Sequence, residues 1–97
     1  MLNCYNRLYS KIVSYALNFI RKFRCVSCTD DYLFFEFLNR DAYNSVVIIK
    51  TSSRCYRLVY YSSLMTGSRK SEYKSFRNIS DMCVYLDSIC PSAVENK

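Results

Sequence analysis

The first part of the chain repeats apolar positions with the period of an α-helix. These positions are Tyr5, Leu8, Tyr9, Ile12, Val13, Ala16, Phe19, Ile20 and Phe23. Side chains spaced three or four residues apart lie on one face of a helix, and polar and basic residues fill the opposite face here. The pattern predicts one amphipathic helix over residues 3–24, with Asn3 as its N-cap.

Three segments in the middle of the chain have the composition of β-strands. Residues 32–38 are rich in aromatic side chains, residues 45–51 contain a run of β-branched ones, and residues 55–64 form a third apolar segment. Only short polar breaks separate them, which favours antiparallel hairpins. Alternation in the third strand places Arg57 and Tyr61 on one side, where they would face solvent or a partner.

The C-terminal part of the chain predicts a loop and then a helix. Residues 65–74 include the only glycine of the chain and several cations, so we expect an exposed basic loop there. Residues 76–90 carry apolar side chains at helical spacing, and Pro91 ends this helix. Residues 92–97 are expected to form a loose tail.

The order of these elements, α-β-β-β-α, predicts a small two-layer α+β domain. In this architecture the N- and C-terminal helices pack on one face of a three-stranded antiparallel sheet. A chain of 97 residues has the size of one domain. Its hydrophobic fraction of 51% and charged fraction of 23% are not those of a disordered chain, so it is expected to fold, alone or on its partner.

The chain is basic, and its charge is unevenly distributed. It holds 14 Lys and Arg against 8 Asp and Glu, a net charge of +6, and residues 1–28 contain no acid. Such a segment attracts anionic surfaces, although a solvated basic face that only maintains solubility is an equal alternative. The candidate partner-binding residues are Arg7, Lys11, Arg21, Lys22, Arg24, Arg54, Arg57, Tyr61, Arg69, Lys70, Lys74, Arg77 and Pro91.

Catalytic chemistry finds little support in the composition. The chain has no histidine, which removes the commonest general base and the usual partner of a Ser or Cys nucleophile. A single glycine excludes glycine-rich phosphate loops. The adjacent acids Asp30 and Asp31 are typical of a solvated turn. We therefore predict a protein that is not an enzyme and has neither a cofactor nor a small-molecule substrate.

Cysteine is frequent, with 6 residues in the chain. The pair Cys25-x-x-Cys28 has the spacing of half a zinc site or of a redox motif, but no second pair at ligand spacing accompanies it. The sequence also predicts neither a signal peptide nor a membrane span. The expectation is therefore a protein of a reducing cytoplasm, whose thiols are free and mostly buried.

Two further kinds of partner follow from the basic residues. Cations interleaved with tyrosines would suit a nucleic-acid backbone and its unpaired bases, although no recognised nucleic-acid-binding motif is present. Direct contact with DNA therefore stays open as an alternative. A membrane role is disfavoured, because the apolar face of the first helix has to cover the sheet.

The chain as a whole resembles the anti-RecBCD accessory proteins of lambdoid bacteriophages. These proteins form a pair, and the chain resembles in particular the larger-effect member of this anti-RecBCD pair. The resemblance lies in overall length and character, in the opening Leu2-Asn3-Cys4-Tyr5-Asn6-Arg7-Leu8-Tyr9 and in the close Ile89-Cys90-Pro91. It implies a protein of the bacterial host cytoplasm that binds the host RecBCD helicase–nuclease at its RecC subunit. Binding would change DNA-end processing in favour of phage recombination. The resemblance carries no motif from which interface residues could be transferred.

Overall fold

The structure, a computed structural model, describes residues 7–52 and 54–89. Its helices are α1 (Arg7–Tyr15), α2 (Leu17–Lys22) and α3 (Ile79–Ile89). Its strands are β1 (Arg24–Cys28), β2 (Tyr32–Asn39), β3 (Ala42–Ser52), β4 (Cys55–Leu64) and β5 (Arg69–Phe76). The predicted N-cap Asn3, residue 90, Pro91 and the predicted tail over 92–97 lie outside the described residues.

The five strands form one antiparallel sheet in the order β1-β2-β3-β4-β5, and the three helices pack on one of its faces. The core lies between these two layers. Its fully buried side chains include Phe19 of α2 and Phe35 of β2, whose ring centroids are 4.9 Å apart in an edge-to-face arrangement. Leu86 of α3 is equally buried. The α+β class and the two layers are therefore as predicted, but a three-stranded sheet with two helices is wrong.

Strand β5 replaces most of a predicted loop. The sequence predicts an exposed loop over residues 65–74, whereas Arg69–Phe76 form a strand. Gly67 adopts φ +102°, a left-handed conformation that side chains rarely adopt. Its N–H donates to the carbonyl of Leu64, and the N–H of Leu64 donates to the carbonyl of Ser68. A three-residue loop whose last residue is a left-handed glycine is a common way to close a β-hairpin. The glycine therefore reverses the chain, and β5 pairs with β4.

The N-terminal helical pattern also divides differently, because one helix over 3–24 was predicted. At Ala16, φ is −126° and ψ is 59°, so the chain leaves helical geometry between α1 and α2. The apolar period hides this break, since Ile12 of α1 and Phe19 of α2 both face the core. After α2 the chain continues directly into β1, a five-residue edge strand that the sequence pattern did not reveal.

The remaining elements lie close to their predicted positions. Strand β3 begins at Ala42 and extends to Ser52, so it is longer than the predicted 45–51. Helix α3 begins at Ile79, whereas residue 76 was predicted to start it. The reason is the cap, since the N–H of Asp81 donates to Oδ1 of Asn78 at 2.8 Å. Phe76 instead ends β5, opposite Tyr56 of β4.

Candidate interaction surface

The face of the sheet opposite the helices carries a continuous set of aromatic and aliphatic side chains. We call this the open face. Its residues are Arg24, Ser27, Tyr32, Phe34, Glu36, Leu38, Tyr43, Ser45, Val47, Ile49, Arg57, Val59, Tyr61, Ser63, Arg69, Ser71, Tyr73 and Ser75. They share a face because strand side chains alternate and the pairing register aligns them. No helix of the described part of the chain packs on the open face.

An apolar row crosses the centre of the open face. Phe34 of β2 lies opposite Val47 of β3, Val47 opposite Val59 of β4, and Val59 opposite Tyr73 of β5. Tyr73 is 77% exposed, and Ile49 in the neighbouring row is 40% exposed. Contiguous apolar surface of this kind on a small domain commonly marks an interaction site.

The charges on the open face are unbalanced. Glu36 is the only acid among the open-face residues, and it is already engaged: Arg24 Nη2 lies 3.8 Å from its Oε1, and the Tyr43 hydroxyl donates to its Oε2 at 2.5 Å. Burial, and then the Glu36 carboxylate, raise the pKa of Tyr43. Arg57 and Arg69 form no ion pair within the described residues. The open face therefore offers uncompensated positive charge beside an apolar centre.

Four of the predicted site residues lie on the open face: Arg24, Arg57, Tyr61 and Arg69. Arg57 is exposed and Tyr61 half-buried, so the predicted placement of this pair on one solvent-facing side is confirmed. The predicted site residues are almost all cations and do not include the apolar row. The signal that could have found it is the alternation within residues 32–38, which separates Phe34 from the buried Leu33 and Phe35.

Lys70 and Lys74 lie on the other side of β5, where they contact a polar cluster between β5 and α3. The Tyr85 hydroxyl of α3 donates to Oε1 of Glu72 at 2.6 Å, and Lys70 Nζ lies 3.2 Å from its Oε2. Lys74 Nζ lies 5.5 Å from the centre of the Tyr85 ring. The hydrogen bond from Tyr85 and then that from Lys70 lower the pKa of Glu72. Burial, and then Glu72, raise the pKa of Tyr85.

The other cations occupy separate places. Arg7 and Lys11 of α1 line a groove of about 510 Å³ together with Lys50 and Tyr56, and Asp30 and Asp31 line the same groove. Acids and bases are mixed there, so the groove has little net preference for an anion.

The last predicted cations are spread over three more positions. Arg21 and Lys22 end α2, Arg54 lies between β3 and β4, and Arg77 lies between β5 and α3. The thirteen candidates therefore do not form one basic surface, and Pro91 lies outside the described residues.

The Cys25-x-x-Cys28 motif lies in β1 and differs from the expected pair of free thiols. Cys28 is disulfide-bonded, so the expectation that all thiols are free is wrong at this position. Cys25 Sγ donates to the carbonyl of Ser27 at 3.6 Å, and burial raises the pKa of its thiol. Within residues 7–52 and 54–89, no three His, Cys, Asp or Glu side chains lie close enough to hold a metal ion.

The fold and the open face define a small α+β domain in which helices cover one sheet face and, among the described residues, none covers the other. No helix within the described ranges is long and apolar enough to cross a membrane. Comparisons with protein families, with curated proteins and with solved structures found no match.

Proposed function

We propose that this chain is a non-catalytic binding protein that engages another protein through the open face. The observation that carries the proposal is the apolar row from Phe34 to Tyr73, beside Arg57 and Arg69. Apolar and aromatic centres with arginine nearby are typical of protein interfaces, and tyrosine and arginine contribute disproportionately to binding energy.

The composition of the row favours a protein over a nucleic acid. Val47 and Val59 occupy its centre, and β-branched aliphatic side chains do not offer a ring on which a base can stack. The aromatic residues Phe34 and Tyr73 lie at opposite ends, three strand spacings or about 14 Å apart. A protein surface with its own apolar centre and an acidic rim fits this face better.

A second copy of the chain fits the open face less well. Two copies joined face to face would bring Arg57 and Arg69 of each into one interface, while the only acid, Glu36, already has two partners. Like charges placed together without compensation oppose association. The proposed partner is therefore a different protein with acidic residues around an apolar patch.

The resemblance in sequence to phage anti-RecBCD proteins suggests the identity of the partner protein. It nominates the host RecBCD helicase–nuclease, through its RecC subunit, as the partner in the bacterial cytoplasm. Binding would change how DNA ends are processed and so favour phage recombination. The resemblance alone supports this partner, whereas the open face supports the class of function.

The experiment is capture of purified RecBCD, and of proteins from a bacterial lysate, by the tagged chain and two variants. Val59→Glu places a charge in the centre of the open face, and Val84→Glu makes the same change on α3 at a side chain that is 71% exposed. We expect Val59→Glu to weaken capture more than tenfold and Val84→Glu to leave it unchanged. Circular dichroism checks that both variants fold.

The results separate the partner from the surface. Failure to retain RecBCD refutes the nominated partner. If no protein is retained, or if the two variants behave alike, the open face is not the binding surface.

A second reagent, a single-stranded oligonucleotide, tests the alternative function of nucleic-acid binding. The rings of Tyr43 and Tyr61 favour this alternative because their centroids lie 6.3 Å apart. Tight binding that falls steeply with salt would support that alternative.

A further inference from the structure

The two edges of the sheet differ in how well they can accept another strand. The β1 edge is short, and its register shifts between Cys25 and Ser27, which marks a bulge. Bulges and short strands are devices that protect an edge from pairing. The β5 edge is eight residues long, and its register with β4 runs without a shift from Arg69 to Phe76. Only β5 is therefore a regular edge.

The hydrogen-bond pattern shows which backbone groups the β5 edge presents. The N–H of Leu64 donates to the carbonyl of Ser68 at 2.8 Å, so these two residues form a hydrogen-bonded pair. Such pairs alternate along an antiparallel ladder, so the backbone N–H and C=O groups of residues 70, 72, 74 and 76 point toward β4. The N–H and C=O groups that point away from the sheet belong to Arg69, Ser71, Tyr73 and Ser75. In the described part of the chain no strand pairs with them.

The side chains along this edge have a net positive charge. Arg69, Lys70 and Lys74 are cationic and exposed, and the only acid of β5, Glu72, is engaged by Lys70 and Tyr85. An incoming strand would place alternate side chains beside Tyr73 on the open face and beside the two lysines on the helix side. The matching segment alternates apolar and acidic residues.

We propose that the β5 edge binds an extended acidic segment of a protein partner as a sixth strand of the sheet. This inference rests on the proposed function, since it specifies part of what the partner presents. Main-chain hydrogen bonds would supply the affinity, and the cations of β5 would select for acidic side chains. A second β5 strand would bring two cationic edges together. A DNA backbone would leave the outward carbonyls without donors, because phosphate oxygens only accept hydrogen bonds.

The probe is a capped, fluorescently labelled nine-residue peptide that alternates valine and glutamate, with binding to the full chain followed by anisotropy. A peptide with lysine in place of glutamate is the charge control. We expect the acidic peptide to bind at least tenfold more tightly. Two further peptides are N-methylated on alternate amides, one on the amides that would point toward β5 and the other on the amides that would point away. Only the first should bind more weakly.

Two pairs of protein variants test the same edge. Ser71→Pro removes an outward N–H and leaves the ladder with β4 intact, and edge strands tolerate proline. Its matched control is Ser71→Ala, which keeps that N–H. We expect about fivefold weaker peptide binding for the proline variant alone, the effect of one net hydrogen bond. Arg69→Glu should weaken binding, and Arg21→Glu, with the same charge change on α2, should not.

Several results would overturn the proposal. One is that the acidic peptide does not bind. Another is that the affinity depends on peptide charge alone, so that both N-methylated peptides bind equally well. A dimer of the chain that Ser71→Pro dissociates would assign the edge to a second copy, and displacement of the peptide by an oligonucleotide would assign it to nucleic acid. If Ser71→Pro does not fold, the two N-methylated peptides still decide the question.

The outcome is distinguishable from failure of the proposed function. If the acidic peptide does not bind but Val59→Glu still reduces partner capture, the edge inference fails and the open face stands. If the peptide binds as expected but no protein is captured through the open face, the edge inference stands and the open face fails.

Discussion

Asp87 of α3 has a structural role that gives the sharpest stability prediction. Helix α2 follows Ala16, which has no side chain that can cap, and no side-chain cap hydrogen bond is formed there. The N–H of Phe19, in the first turn of α2, instead donates to Oδ1 of Asp87 at 3.1 Å. The first N–H groups of a helix have no acceptor within it, so a carboxylate from another helix serves as the cap.

The magnitude follows from what Asp87→Ala would leave behind. The hydrogen bond is partly buried, so the Phe19 amide would lose its acceptor in a site with restricted access to water. An unsatisfied amide costs about 1–3 kcal/mol, and loss of a negative charge at a helix N-terminus adds about 0.3–1 kcal/mol. We expect a loss of about 2 kcal/mol for Asp87→Ala. Asp87→Asn keeps an acceptor but loses the charge, and should cost about half as much.

Urea-induced unfolding followed by circular dichroism measures this difference, with the disulfide at Cys28 left oxidised in every sample. For a domain of this size each kcal/mol lowers Tm by about 4–8 °C, so thermal melting gives a second measure. The control is Ser88→Ala, which removes an exposed hydroxyl of the same helix that donates to the carbonyl of Tyr85. An Asp87→Ala variant that is no less stable than the Ser88→Ala variant would refute the capping role.

Three further predictions concern β5 and the buried thiol. Gly67→Ala should cost about 1–2 kcal/mol in urea unfolding, because nothing lies within 4 Å of the added Cβ and the cost arises from φ +102° alone; unchanged stability would contradict this turn. Tyr85→Phe should raise the pKa of Glu72, measured by carboxyl NMR titration, because it removes the largest cause of its lowering; an unmoved titration would exclude the contact. Burial, and then Asp87, raise the pKa of Cys83 from 9.0 to about 11. Because its thiol ionises first in the unfolded chain, stability should be intact well below pH 9 and fall by about 2 kcal/mol as the pH rises to 11; Cys83→Ala should remove that part of the slope.

Strands β2, β3 and β4 were predictable because their stability comes from apolar burial, which leaves a pattern in the sequence. Each strand contributes buried apolar side chains to the core, for example Leu33, Ile48 and Leu58. Strand β5 leaves no such pattern, because six of its eight residues are exposed, and Phe76 and Glu72 attach it to the helix layer through contacts with Tyr85. A polar segment with a glycine before it has the composition of a loop. Only the turn geometry at that glycine shows that the segment is a strand and not a loop.

The helix break and the candidate surface illustrate two other limits. Alanine favours helices, so nothing at Ala16 signals an interruption, and the apolar period continues across it because α1 and α2 cover the same sheet. On the surface, alternation within β4 was sufficient to place Arg57 and Tyr61 on one face. The row from Phe34 to Tyr73 depends on the register of four strands, which requires the turns between them to be known.

Tyr73 links the open face to the β5 edge. Its ring ends the apolar row of the open face, while its backbone N–H and C=O belong to the outward set of the β5 edge. A strand added beside β5 would place its own apolar side chains next to this ring and extend the row across a sixth strand. The two proposed sites therefore adjoin, and a partner that presents an acidic strand beside an apolar patch could occupy both. Their binding energies would then be coupled, since ordering the partner at one site raises its effective concentration at the other.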